Sequence, residues 1–164
     1  MRKYGILIFV FILLGIAGYG EEIVNGKKVF SKEEIIEKFL AGKDEWNSFR
    51  EKNPELDFGD IFAAKDYKKK EMAGMNLSKM NFEGSNMASA NLEEANFEGA
   101  NLKNVNFFKA VLRRAELKDA DMKGAYFDST VLFQANCDNA TVSKQWRDEF
   151  KKKDVKKYGT INWR

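Results

Sequence analysis

The sequence predicts an all-β solenoid closed at both ends by short α-helices, and three observations carry that expectation. An apolar residue recurs at every fifth position through fourteen units: Leu77, Phe82, Met87, Leu92, Phe97, Leu102, Phe107, Leu112, Leu117, Met122, Phe127, Leu132, Cys137 and Val142. Two residues before each stands a mostly small side chain, usually Ala (Ala90, Ala95, Ala100, Ala120), with Met75, Met80, Ser85, Val105 and Thr130 as variants. Between the two, Asn76, Asn81, Asn86, Asn91, Asn96, Asn101 and Asn106 open a looser polar series, and turn-forming Ser, Lys, Glu, Gly, Asp and Asn fill the remaining positions.

A period of five fits neither regular element. On an α-helix five residues advance about 500°, so the large side chains would spiral over every face. On a flat strand successive large residues would alternate sides. Within one unit, however, the small and large residues are two apart and share a side. The other two residues must turn the chain so that the next pair faces the same interior. A coil wound around its own core satisfies both demands.

These residues resemble the pentapeptide-repeat family, whose unit is small, Asn/Asp, Leu/Phe and two polar positions. The match runs from Ala73 to Val142 and is strongest in Ala90-Asn91-Leu92-Glu93-Glu94-Ala95-Asn96-Phe97-Glu98-Gly99-Ala100-Asn101-Leu102. The resemblance implies a right-handed quadrilateral β-helix with four units per coil. Residues twenty apart then stack, giving interior columns such as Leu77/Phe97/Leu117/Cys137 and Phe82/Leu102/Met122/Val142. Such a solenoid draws its stability from nearest-neighbour stacking, and its terminal coils need covers.

Four segments follow. Residues 1–20 read as a signal peptide: Arg2 and Lys3, an apolar run from Ile6 to Ile16, then Ala17-Gly18-Tyr19-Gly20 before Glu21-Glu22. The run is short of the roughly 20 apolar residues a membrane span needs, and no Cys follows it for a lipid anchor. The expectation is export to the periplasm or outside the cell, with no membrane span after cleavage.

Residues 21–72 are expected to form a helical N-terminal cap and a degenerate opening coil. Ile23 to Phe30 suits a small hairpin around Asn25-Gly26. Ser31-Lys32-Glu33-Glu34 fits a capping box, followed by an apolar stripe of Ile35, Ile36, Phe39 and Leu40 and a stop at Gly42. A second helix is expected from Asp44 to Lys52, and Trp46-Asn47, Arg50 and Pro54 resemble the helical lead-in before the repeats of many family members. Phe62, Tyr67 and Met72 keep the stride of five, yet Lys65 and Lys70 hold the small positions, where a buried charge is costly. Residues 73–142 are the β-helix. Residues 143–164 are the C-terminal cap, with Ser143 capping a helix that carries Trp146 and Phe150, and a last strand near Thr160 to Trp163.

The inventory for catalysis is poor. The 164 residues contain no His, and the one Cys falls at an inward large position, so the expectation is a packed thiol and no disulfide. No spacing suits a metal or cofactor, and neither is expected. Glu93, Glu94, Glu98, Asp119 and Asp121 fall on turns or the outer wall, where solvation explains them. An enzyme is therefore not expected, and the Asn series reads as a wall-supporting ladder.

The candidate partner site is a break in the wall's polarity. Phe108, Val111, Tyr126, Val131 and Phe133 occupy outward positions, with Val111 below Val131 and Phe108 with Tyr126 around the adjoining corner. Coverage by a terminal segment is the competing explanation. Charge supplies a second candidate: residues 73–142 carry 7 Lys/Arg against 9 Asp/Glu, while 143–164 carry 8 against 3. Lys151, Lys152, Lys153, Lys156 and Lys157 are thus candidate contacts to an anionic surface, with a solvated helix end as the plainer reading.

The sequence therefore favours a noncatalytic exported protein-interaction or scaffold module with an unidentified protein partner. Envelope or membrane-surface binding through the basic tail is the alternative. The resemblance also brings in members that mimic DNA and inhibit topoisomerases. That mimicry needs a strongly negative surface, and a repeat body at −2 argues against it and against nucleic acid as a partner.

Overall fold

The computed structural model describes residues 22–24 and 27–164. They fall into two compact units divided between Ser31 and Lys32. The signal-peptide expectation, residues 1–20, lies outside the described residues. In the first unit β1 (Glu22–Val24) pairs antiparallel with β2 (Lys27–Val29), Val24 opposite Lys27; the turn expected at Asn25-Gly26 lies outside the described residues.

In the second unit, α1 (Lys32–Leu40) and α2 (Lys43–Lys52) precede the coils, and Gly42 between them takes the positive φ of 101° that the sharp change of direction needs. Bridges join Asp66 to Asn86, Asn86 to Asn106, and Asn106 to Tyr126, each parallel and each at a stride of twenty. Twenty residues per coil at five per unit gives four walls. The bridges are single residues except at β3 (Asp121–Met122) and β4 (Thr141–Val142) because each wall is straight for only two or three residues before the chain turns.

Most turns share one construction. The amide of the small residue donates to the carbonyl of the preceding large one, as Ala90 does to Met87 at 3.1 Å and Ala115 to Leu112 at 3.1 Å. The second residue of the turn has positive φ, whether it is Gly99 at 65° or Lys109 at 56°, the backbone sign that type II turns place there. The Asn before the large residue braces that turn. Its side-chain oxygen accepts from the backbone amide two residues on, as in Asn86 to Ala88 (3.1 Å) and Asn106 to Phe108 (3.0 Å). Its amide reaches the coil below: Asn91 donates to Glu71 at 2.8 Å, and Asn136 to Glu116 at 2.8 Å. The expected ladder is therefore a turn brace and an intercoil tie at once, which explains why Asn recurs at this position.

Inside, the large and small columns are buried from Met72 to Val142, and Phe107 stacks on Phe127 at 5.4 Å between centroids. The polar variants are satisfied by the coil below. Thr130 donates to the Phe107 carbonyl at 2.7 Å and Ser85 to that of Phe62 at 3.2 Å.

The opening coil is more regular than the sequence suggests. Phe58, Phe62, Tyr67 and Met72 are buried, and Asp66 and Glu71 bridge to the next coil, yet Lys65 and Lys70 are exposed. Their backbone still accepts from Asn86 and Asn91, so the coil keeps its register while both lysines stay in water. Two other expectations are corrected. Of the α1 stripe only Ile35 and Phe39 are buried; Ile36 and Leu40 face outward. Ser143 makes no side-chain cap. Its hydroxyl instead accepts from the Gly124 amide at 2.8 Å, and Lys144–Trp146 form a single 3-10 turn before α3 (Arg147–Lys152).

Candidate interaction surface

The ends of the ladder must be settled first, because open edges would themselves be binding surfaces. Between coils the amides follow two offsets: Leu77 donates to the Asn96 carbonyl, 19 residues on, and Asn96 to that of Met75, 21 residues back. At Asn76 and Ser78 no coil lies beneath to complete this pattern. Side chains of α2 replace it. Trp46 Nε1 donates to the Asn76 carbonyl at 2.7 Å, Asn47 Oδ1 accepts from the Asn76 amide at 2.7 Å, and Arg50 donates to the Ser78 carbonyl at 2.8 Å. Asn47 also donates to the Gly74 carbonyl at 2.9 Å, so its amide stands in for a peptide of the missing coil.

Arg50 is nearly fully buried against the Phe58 ring, and burial pulls its guanidinium below the ordinary value. At the other end residues 154–164 return along the last coil. Lys156 bridges to Asn136, and β5 (Asn162–Trp163) pairs parallel with β4. Trp146 Nε1 donates to the Ala125 carbonyl at 2.9 Å, and Phe150 packs edge-on against Phe127 at 5.0 Å.

With both edges engaged, the wall is the surface that remains, and most of it is polar. Arg114 reaches both Glu93 and Glu94 at 2.8 Å, Lys103 pairs with Asp121 at 3.2 Å, and Lys118 lies 3.3 Å from Glu98 and 3.8 Å from Asp119. These carboxylates form solvated ion pairs, each contributing at most about 1 kcal/mol. Among the described residues no cluster of three or more His, Cys, Asp or Glu could hold a metal. Cys137 is buried, and burial, with Glu116 nearby, pushes its thiol up to about 12. It is unsuited to nucleophilic chemistry near neutral pH.

The apolar positions differ from this background. Phe108 and Tyr126 lie 6.3 Å apart between ring centroids, and Lys109 places its ammonium 5.0 Å over the Phe108 ring. Val111 and Val131 are directly paired across coils, and Phe133 shares their wall beyond the buried Leu132. The turn closed by Ala110 and Phe107 joins the two walls. Tyr126, Val131 and Phe133 are 45%, 38% and 48% exposed, while Phe108 and Val111 are half-buried. The C-terminal segment borders the patch. Trp146 stands edge-on to Tyr126 at 5.5 Å, and Lys152, Lys153 and Asp154 line a groove beside Val131 and Phe133.

The basic residues divide by role. Lys153 donates to the Thr130 carbonyl at 2.7 Å and so anchors the tail. Lys156 carries backbone bonds to the last coil, while Lys151, Lys152, Lys156 and Lys157 all present exposed side chains. The outward Ile36 and Leu40 were missed as surface residues by the sequence reasoning. Glu33 and Glu37, which line the same shallow groove on α1, were the available signal.

Residues 72–104 and 110–144 match the sequence profile of pentapeptide repeats, in 8 copies. The solenoid is a pentapeptide-repeat domain. No curated protein matches the chain. Among solved structures, it is similar to a pentapeptide repeat protein from the thylakoid lumen of Arabidopsis thaliana, at 27% identity and a TM-score of 0.50, over 53% of this chain and 61% of that one. It is also similar in fold to HetL, a pentapeptide repeat protein involved in heterocyst differentiation regulation from the cyanobacterium Nostoc, at 24% identity and a TM-score of 0.52, over 68% of this chain and 46% of that one. The chain thus spans less than two thirds of the length of either protein. These likenesses imply that the pentapeptide-repeat coils wind as a right-handed quadrilateral β-helix.

Proposed function

We propose that this pentapeptide-repeat protein is a noncatalytic, exported interaction module that offers a rigid wall to a protein partner. The observation that carries the reading is the patch itself. Tyr126, Val131 and Phe133 are three of the six exposed large apolar side chains among the described residues, and they sit on adjoining walls fixed by intercoil hydrogen bonds. Contiguous exposed apolar surface on an otherwise polar protein marks a contact site. In this reading the helices and the returning tail act as end caps that keep the ladder from growing, leaving the wall to choose the partner.

Export is supported by the charged start and short apolar run of residues 1–20, and the thylakoid-lumen relative is in keeping with it. Among the described residues no helix is long and apolar enough to cross a membrane. The tail supports a second reading, contact with an anionic envelope surface through Lys151, Lys152, Lys156 and Lys157; Lys153 is committed to Thr130. Topoisomerase inhibition by DNA mimicry is the remote alternative.

The test places a photo-crosslinking residue at position 133, or at position 123 on the opposite wall, in protein expressed with its own N-terminus. A discrete adduct from 133 alone, on protein whose intact mass begins at Glu21, is the expected result. Equal adducts from both positions, or none, would overturn the assignment of the wall.

A further inference from the structure

We infer that the occupant of the groove beside Val131 and Phe133 is α1 of a second copy of this chain, so that molecules associate head to tail. The inference deepens the interaction-module reading and rests on it.

Two surfaces on the same molecule carry exposed apolar pairs of similar spacing with borders of opposite charge. On α1, Ile36 and Leu40 are 37% and 64% exposed. Four residues apart on a helix, they share one face with a rise of about 6 Å between them. Glu33 and Glu37 border them. On the last coil, Val131 and Phe133 both point outward from either side of the buried Leu132. Two residues apart on an extended chain, they are about 6.7 Å apart. The two apolar pairs therefore have matching spacing.

The borders have opposite charge. Lys152 lines the groove, 3.6 Å from Glu149 in a solvated pair, and Lys151 is exposed in the same helical turn; Lys153 lines it too, with its ammonium held by the Thr130 carbonyl. Asp154 also lines it, but its carboxylate accepts from Gln134 at 2.9 Å. Seating Ile36 and Leu40 against Val131 and Phe133 brings Glu33 and Glu37 towards Lys151 and Lys152, an arrangement that favours this orientation over its reverse.

A single molecule cannot satisfy itself this way. Helix α1 packs on the opening coil through Phe39 against Phe62 and Tyr67, while the groove belongs to the last coil. From Phe62 to Leu132 the chain climbs 70 residues, three and a half coil steps of twenty, or about 17 Å at the spacing of paired strands. The contact joins different surfaces on two copies, so it is heterologous and propagates unless the rotation closes a ring.

Sedimentation velocity on the full secreted chain, at rising protein concentration and at low and high salt, reads this directly. Wild type should associate with concentration, and salt should weaken it. Leu40→Ser and Phe133→Ser should each raise the dissociation constant at least tenfold while leaving the melting temperature nearly unchanged. Glu37→Lys and Lys152→Glu should each weaken association, and the double charge reversal should restore it to within about threefold of wild type. A wild-type monomer at every concentration up to roughly millimolar would overturn the inference. Association that survives both Ser variants, or charge reversals that fail to rescue each other, would do the same. If wild type is monomeric while position 133 still crosslinks another protein, self-association fails and the module reading stands; if neither occurs, both fail.

Discussion

Asn47→Leu is the sharpest perturbation of the way the coil begins. Leu keeps nearly the same volume on α2, so the change removes an amide rather than a packing contact. The lost bonds are those to the Gly74 carbonyl and from the Asn76 amide, at 2.9 and 2.7 Å. Each partner is a backbone group at a coil edge with no coil beneath it. Leaving a buried backbone group unpaired costs about 1–3 kcal/mol, and the partial burial here favours the lower half of that range. The sum is about 2–4 kcal/mol, or a fall of roughly 10 °C in melting temperature for a domain of this size.

Thermal melts by circular dichroism give the magnitude, and native-state hydrogen exchange gives the location. The Asn76 amide should lose protection, while the Asn96 amide, which donates to Met75 one coil up, should keep most of its own. A melting temperature within about 2 °C of wild type, or uniform loss of protection at Asn76 and Asn96 together, would refute the idea that this amide replaces a missing coil.

Three further outcomes test the interior and its turns. Ala120→Asp places a larger, unpaired charge at a buried position and should abolish cooperative folding, whereas Lys118→Asp, which loses only exposed pairs to Glu98 and Asp119, should lower stability by less than about 1 kcal/mol; similar melts would contradict the inward and outward assignments. Gly124→Ala should cost about 1–2 kcal/mol, because φ is +77° and a Cβ there runs into the Asn104 side chain, and urea denaturation will show whether it does. Cys137 should react with iodoacetamide near neutral pH only at the rate of unfolding, since its thiol is buried and pushed up to about 12; rapid labelling of native protein would contradict that burial.

What was legible in the sequence was whatever repeats. Fourteen large residues and their small partners had to share one interior, because no other arrangement satisfies a period of five, and those columns are buried as expected. The Asn positions were legible as a ladder, though not as turn braces, since that role lies in the bond to the amide two residues on. The exceptions arise where an environment occurs once.

The exposure of Lys65 and Lys70 follows from their place in the opening coil, which residue identity alone does not reveal. Ser143 looked like a helix cap, but an unpaired Gly124 amide across the coil took its hydroxyl. Ile36 and Leu40 fitted an amphipathic stripe wider than the surface α1 rests on. The apolar wall was visible in the sequence as a break in polarity. Its exposure was not, because that depends on where Trp146 and α3 come to rest.

The claim that function lies on the wall rather than in the core is tested most directly by Val131→Ser combined with Phe133→Ser. With a photo-crosslinking residue placed at position 108 of the same patch, melting temperature and adduct yield should be measured on the same samples. Both residues are more than a third exposed, so the double variant should melt within a few degrees of wild type while the crosslink disappears. A variant that unfolds early, with its surviving folded fraction crosslinking as well as wild type, would show that these residues serve packing and would contradict the account.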